Sequence, residues 1–141
     1  MLKTMADGET GIILKIELQE GKEAMKQMPF SGTFKASTAV VRRLLIDYGG
    51  TGRTIYGDSW FMDMNTIEMV RATGNLYEGM VKTGHAGIPK KNITTVAFNT
   101  PNAKRGDHKV VYIGTDDQRI IFVGWNEPSK ADSKKKARKN L

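Results

Sequence analysis

The chain of 141 residues contains no cysteine, which excludes disulfide bonds, thiol nucleophiles and cysteine-based zinc sites. It also lacks any apolar run approaching the roughly 20 residues that a membrane-spanning helix needs. The stretch MLKTMADGETG has neither the apolar segment nor the cleavage site of a secretory signal. The length is that of about one domain, and these absences favour a soluble intracellular protein with no membrane partner.

Basic charge is concentrated at one end of the chain. Six basic residues against one acid between residues 130 and 139 supply +5 of the net charge of +7. A segment of this composition is typically disordered and solvated. Two functional interpretations remain open for it, nuclear import and contact with a phosphate backbone. The candidate contacts there are Lys134, Lys135, Lys136, Arg138 and Lys139.

The first half of the sequence predicts two strands and a helix. Residues 1–6 and the alternating run IILKIELQ are expected to be strands, and the polar stretch EGKEAMKQMPFSG a connection. Apolar residues at helical spacing over 40–48 predict a helix that Ser37 or Thr38 caps and Gly49 and Gly50 end.

The second half predicts a strand, a helix, a strand and a hairpin. Residues 53–56 form the first strand, Asp63 or Asn65 caps the helix, and LYEGMVKTG is the next strand. HKVVYIG and RIIFVGW flank the polar turn TDDQ, as in a β-hairpin. The whole order predicts an α/β fold, a mixed sheet with flanking helices, over 1–128 and a basic tail over 129–141.

Two aspartates follow predicted strands, Asp7 after the first and Asp58 after the strand that ends at Gly57. In open α/β sheets ligands bind at the carboxyl ends of strands. Two carboxylates brought together there repel each other but suit Mg²⁺. The alternatives are a turn residue in ADGETG for Asp7 and a helix N-cap for Asp58.

The sequence motifs around Asp58 resemble those of a known family. GTGRTIYGDSWF, with GMVKTGHAGIPK some twenty residues on, resembles the piggyBac-type transposases. MADGETGIILKIELQEGKEA resembles that family's first catalytic strand, turn and second strand. RGDHKVVYIGTDDQRIIFVGWNEPSK is similar to its later basic turn and hairpin.

The resemblance implies a DDE/D transposase with an RNase H-like core that uses Mg²⁺ to cut and join DNA. The first catalytic, metal-binding aspartate then corresponds to Asp7 and the second to Asp58. Trp60 and Phe61 would begin the following helix and pack beneath the site.

The sequence also departs from the family pattern. The family's third catalytic aspartate lies beyond the hairpin, and the chain stops before a matching segment, which predicts a fragment that is inactive alone. A domesticated binding module, a non-functional transposon remnant and an unrelated magnesium phosphohydrolase are the alternatives. GGTG lacks the Gly-Lys-Ser/Thr ending of a phosphate loop, so no nucleotide or other small-molecule cofactor is expected.

DNA is the expected partner, and a nuclear location is expected from the lysine-rich tail. Outside the tail, Arg42 and Arg43 are expected to form a solvated helix face. The candidate nucleic-acid contacts of the body are Arg53, Lys82, His85 and Lys90.

Overall fold

The computed structural model describes residues 1–82, 87–89, 91–93, 104–115 and 119–126. The chain divides into two compact units, Met1–Ile88 and Pro89–Leu141. Strands and helices both occur, so the α/β class is confirmed. Within the described residues, no helix is long and apolar enough to cross a membrane.

An antiparallel hairpin opens the first unit. Strand β1, Leu2–Ala6, pairs with β2, Ile13–Leu18, in a register that sets Leu2 against Leu18 and Thr4 against Ile16. The turn between them closes with the amide of Gly11 donating to the Asp7 carbonyl at 2.9 Å. Both strands of the sequence-based prediction are therefore present.

The two faces of β2 have an unusual distribution of polarity. Ile16 and Leu18 on one face are 59% and 56% exposed. Glu17 on the opposite face is buried, and its carboxylate accepts 2.7 Å hydrogen bonds from Nε and Nη2 of Arg43. The polar face of the strand thus packs inward because its charge is paired there.

Two helices follow the hairpin. The first, α1, spans Lys22–Gln27, so the expectation of a plain connection there was wrong. The second, α2, spans Ala36–Leu44, and its N-cap is Lys35 rather than Ser37 or Thr38. Thr38 is instead fully buried and shares a 2.8 Å hydrogen bond with the hydroxyl of Thr66.

A parallel strand–helix–strand unit completes this half of the molecule. Strand β3, Thr54–Gly57, runs into helix α3, Met64–Ala72, and then into β4, Leu76–Gly79, which pairs with β3 in parallel. Asp63 caps α3 through a 2.9 Å hydrogen bond from the Thr66 amide, as one of the two predicted caps. Gly74, at φ +77°, ends the α3 segment with a conformation that glycine favours.

The core lies between α2, α3 and the strands. Val41, Leu45, Met69 and Val70 are its buried centre, and Met5, Ile55, Phe61 and Tyr77 pack around them. Since α2 supplies its stripe at the predicted helical spacing, the apolar side of this helix was correctly predicted.

The second unit contains a hairpin of its own. Strand β5, His108–Ile113, pairs antiparallel with β6, Ile120–Trp125. Phe122 is buried on one face, whereas Tyr112 and Trp125 on the other are exposed. Among the described residues the strands form three separate two-stranded sheets, β1–β2, β3–β4 and β5–β6. The continuous RNase H-like sheet stays a prediction, as does a domain boundary at 128, because 127–141 lie outside the described residues.

Candidate metal centre

Residues of both β1 and β3 line a cavity of about 270 Å³. Thr4 to Gly8 line it from one side and Arg53 to Gly57 from the other, with apolar side chains of α2 as its floor. Both strands run toward the candidate aspartates, so the carboxyl ends of β1 and β3 flank one space. Asp7 lines this cavity, and Asp58 directly follows the lining residue Gly57.

Asp7 organises the turn after β1. Its Oδ1 accepts hydrogen bonds from the Thr10 hydroxyl at 2.7 Å, the Thr10 amide at 2.8 Å and the Glu9 amide at 3.2 Å. These bonds, foremost those from Thr10, hold the pKa of Asp7 below its ordinary value, and the positive charge of Arg53 adds to the effect. The turn interpretation of Asp7 is thus confirmed, and it leaves the metal-ligand interpretation open.

Asp58 sits in a tight turn rather than at the start of a helix. Its Oδ1 accepts a 2.8 Å hydrogen bond from the Trp60 amide, and α3 begins only at Met64. The expectation that Trp60 and Phe61 start the helix was therefore wrong. The physical reason is that two aspartates compete as caps, and Asp63 is the one whose carboxylate reaches the amide three residues on.

Trp60 connects the loop that carries Asp58 to strand β1. The Lys3 ammonium lies 3.8 Å from the centroid of the Trp60 ring and 5.1 Å from that of Phe61, and the two rings meet edge to face at 4.8 Å. A cation–π contact at a partly exposed site is worth about 0.5–1 kcal/mol. Phe61 packs against the core, whereas Trp60 remains 39% exposed.

Tyr77 on β4 also lines the cavity, and sequence reasoning missed it. Its hydroxyl oxygen is buried and has no hydrogen-bond partner among the described residues. Burial raises the pKa of Tyr77, and the negative charges of Asp58 and Asp63 raise it further, so the hydroxyl keeps its proton. No sequence signal marks it, because its position depends on the pairing of Tyr77 with Ile55 across the sheet.

The predicted nucleic-acid contacts fall into three groups. Arg53 is exposed, lines the cavity and lies 5.9 Å from the centroid of the Tyr48 ring. Lys82 is exposed beyond β4, and nothing places it at the cavity. Outside the described residues are His85, Lys90, Lys134, Lys135, Lys136, Arg138 and Lys139.

Arg43 does not belong to a solvated face, contrary to expectation. Its guanidinium is held between Glu17 and the Pro29 carbonyl, to which Nη1 donates at 2.7 Å. Arg42, one position earlier, lies 5.0 Å from the centroid of the Phe30 ring.

The donor chemistry at the two strand ends fits a divalent cation. In both Asp7 and Asp58 the described hydrogen bonds occupy Oδ1, and Oδ2 accepts none from the described residues. Carboxylate oxygens with room for water are the ligands that Mg²⁺ takes. In the described part of the chain, no group of three or more acidic, histidine or cysteine side chains is placed to hold a metal.

The family model described as Transposase IS4, a family of DDE transposases, matches residues 1–139, and the chain therefore belongs to this family. No curated protein and no solved structure was found to match the chain.

Proposed function

We propose that the chain is the catalytic-core segment of a piggyBac-type transposase, with Asp7 and Asp58 as its first two metal ligands. The observation that carries the proposal is the pair of strand ends around one cavity, in a chain of the DDE transposase family. The aspartates are the residues to which the family resemblance assigns catalysis. Membership of the family supports DNA as substrate and a divalent metal as cofactor.

In the proposed site, one oxygen of each aspartate would bind the metal and the other would fix the orientation of the carboxylate. Asp7 and Asp58 would each offer Oδ2 to Mg²⁺, while their Oδ1 atoms stay fixed by turn amides. Arg53 is exposed at the cavity and lowers the pKa of Asp7, and in this proposal it would contact a DNA phosphate. When bound, the metal supplies Lewis acidity and activates a water or hydroxyl for phosphodiester attack.

The same proposal holds that this chain alone does not cut DNA. Two acidic ligands leave the metal weakly held and the attacking group poorly oriented. Purified protein incubated with supercoiled plasmid and Mg²⁺ is expected to leave the plasmid intact. Nicking that disappears in Asp58→Ala would overturn the inactivity and restore a complete nuclease.

Metal binding separates this proposal from a binding module that has lost its metal. Electron paramagnetic resonance of free Mn²⁺, a stand-in for Mg²⁺, is expected to show binding by the intact chain and its loss in Asp58→Asn. Asn65→Asp, which adds a carboxylate on the exposed start of α3, is the control for unspecific charge. Equal binding by the intact chain and Asp58→Asn would contradict a metal site at Asp58.

We further propose that the basic run Lys134–Lys136 with Arg138 and Lys139 directs the chain to the nucleus. A fluorescent fusion that loses nuclear accumulation when these five residues become glutamine would support the proposal. Unchanged accumulation would overturn it.

A further inference from the structure

The Tyr77 hydroxyl is a buried polar group without a hydrogen bond to any described residue. Such a group costs free energy in the folded protein unless a ligand or water satisfies it. A phenol can donate one hydrogen bond and accept others. The hydroxyl therefore has a capacity for hydrogen bonding that the described residues leave unused.

Gly57 explains how the hydroxyl reaches the strand end. A Cβ atom at Gly57 would overlap the Tyr77 hydroxyl oxygen and lie 2.8 Å from Cζ of the ring. The ring tip thus lies directly against the Gly57 backbone, one residue before Asp58. Only glycine permits this approach, because any other side chain would occupy the space of the phenol.

The charges of Asp58 and Asp63 both raise the pKa of Tyr77, and the two carboxylates differ in burial, since Asp63 is buried whereas Asp58 is exposed and so accessible to a cation from solvent. Asp63 is committed to the α3 cap, where its Oδ1 accepts from the amide and hydroxyl of Thr66. Asp58 is exposed, and its one hydrogen bond to a described residue is the one that Oδ1 accepts from the Trp60 amide. The phenol tip therefore lies against the residue that precedes Asp58, and the Asp58 carboxylate keeps one oxygen that accepts no hydrogen bond from the described residues.

We propose that Tyr77 is a positioning residue that donates a hydrogen bond to the Asp58 carboxylate when this carboxylate holds a divalent cation. The inference rests on the proposed function, since it takes Asp58 as a metal ligand. Hydrogen bonds to metal-ligating carboxylates fix their orientation, and loss of such a bond typically weakens metal affinity about 10- to 100-fold. Tyr77 touches neither substrate nor metal in this account.

The test compares Mn²⁺ affinity and thermal stability in Tyr77→Phe. The substitution removes a hydroxyl that has no described partner, so the melting temperature should equal or exceed that of the intact chain. Mn²⁺ affinity, measured by electron paramagnetic resonance, should fall about tenfold. Tyr112→Phe, on an exposed residue of β5 that does not line the cavity, is the matched control and should change neither quantity.

The outcomes separate this inference from the proposed function. Binding that is lost in Asp58→Asn but unchanged in Tyr77→Phe overturns the role of Tyr77 and leaves the metal site standing. Binding that Asp58→Asn does not alter overturns both. A lower melting temperature in Tyr77→Phe would show that the hydroxyl already has a partner in the metal-free fold, which contradicts the inference as well.

Discussion

The two carboxylate oxygens of Asp7 differ in their hydrogen bonding. Oδ1 is surrounded by the donors of Glu9 and Thr10, while Oδ2 accepts no hydrogen bond from the described residues. The residue therefore closes a turn and still lines the cavity with one carboxylate oxygen that accepts no described hydrogen bond. A structural and a metal-binding role are compatible in this one side chain, because they use different atoms.

The bonds to Asp7 predict a pH-dependent contribution to stability. Because they lower its pKa in the folded state, the contribution is present above the ordinary aspartate value of about 4 and is lost as pH falls through the lower folded-state value. Intact chain and Asp7→Ala should therefore differ in melting temperature at pH 6, and the difference should shrink as the pH falls below the ordinary aspartate pKa of about 4. A difference that grows toward low pH would contradict this account.

Single residues show where sequence reasoning stopped. The turn chemistry of ADGETG and the candidate cap Asp63 were readable, because both depend on neighbours within about three residues. The turn that Asp58 forms could not be predicted, because Asp58 and Asp63 are five residues apart and are equally suitable as N-caps of the following helix. The role of Tyr77 could not be predicted from the sequence. The surroundings of its hydroxyl depend on the pairing of β3 with β4 and on the close approach to Gly57.

Strand β2 and helix α2 are joined by a buried ion pair. Glu17 and Arg43 expose 8% and 9% of their side chains, and their contact is 2.7 Å long. Removing one partner leaves a buried charge alone, which typically costs about 3–5 kcal/mol. We expect Arg43→Met to lower the free energy of unfolding by this amount in urea denaturation.

The double substitution Glu17→Leu with Arg43→Met removes both charges and should recover most of that loss. Lys26→Met, which breaks the exposed pair with Glu23, is the matched control and should change stability by less than about 1 kcal/mol. A large effect of Lys26→Met, or none of Arg43→Met, would contradict the assigned burial of the two pairs.

The approach of β4 to the end of β3 depends on Gly57. Gly57→Ala would place a methyl group where the Tyr77 hydroxyl lies, so we expect overpacking that typically costs about 1–3 kcal/mol. Adding Tyr77→Phe removes the overlapping oxygen and should restore part of the stability. Additive effects of the two substitutions in chemical denaturation would show that the contact does not exist.

Elements differed in how far the sequence predicted them. Both hairpins and the pair β3 and β4 were found, since alternation and turn residues mark them locally. Helix α1 was missed because it contains no buried residue and therefore no apolar stripe. The burial of Glu17 on β2 was not predicted, because its charge is paired with Arg43, which lies 26 residues away in the sequence.

In the whole molecule, we expect most of the net charge to lie in a segment that does not contribute to the stability of the fold. The segment 129–141 carries most of the net charge and offers no apolar face, so a chain that ends at Pro128 should melt at the same temperature. Its DNA affinity should fall sharply. The intact chain should show a log–log salt slope of roughly −4.5, corresponding to about five phosphates on duplex DNA. Full binding by the shortened chain would place the DNA surface on the body, around Arg53.

The central claim is that one divalent cation binds between the ends of β1 and β3. Anomalous diffraction from crystals of the chain soaked in Mn²⁺ tests it most directly. We predict an anomalous peak whose protein ligands are the carboxylates of Asp7 and Asp58. A peak on other side chains, or a fully soaked crystal in which both carboxylates stay free of metal, would contradict the account.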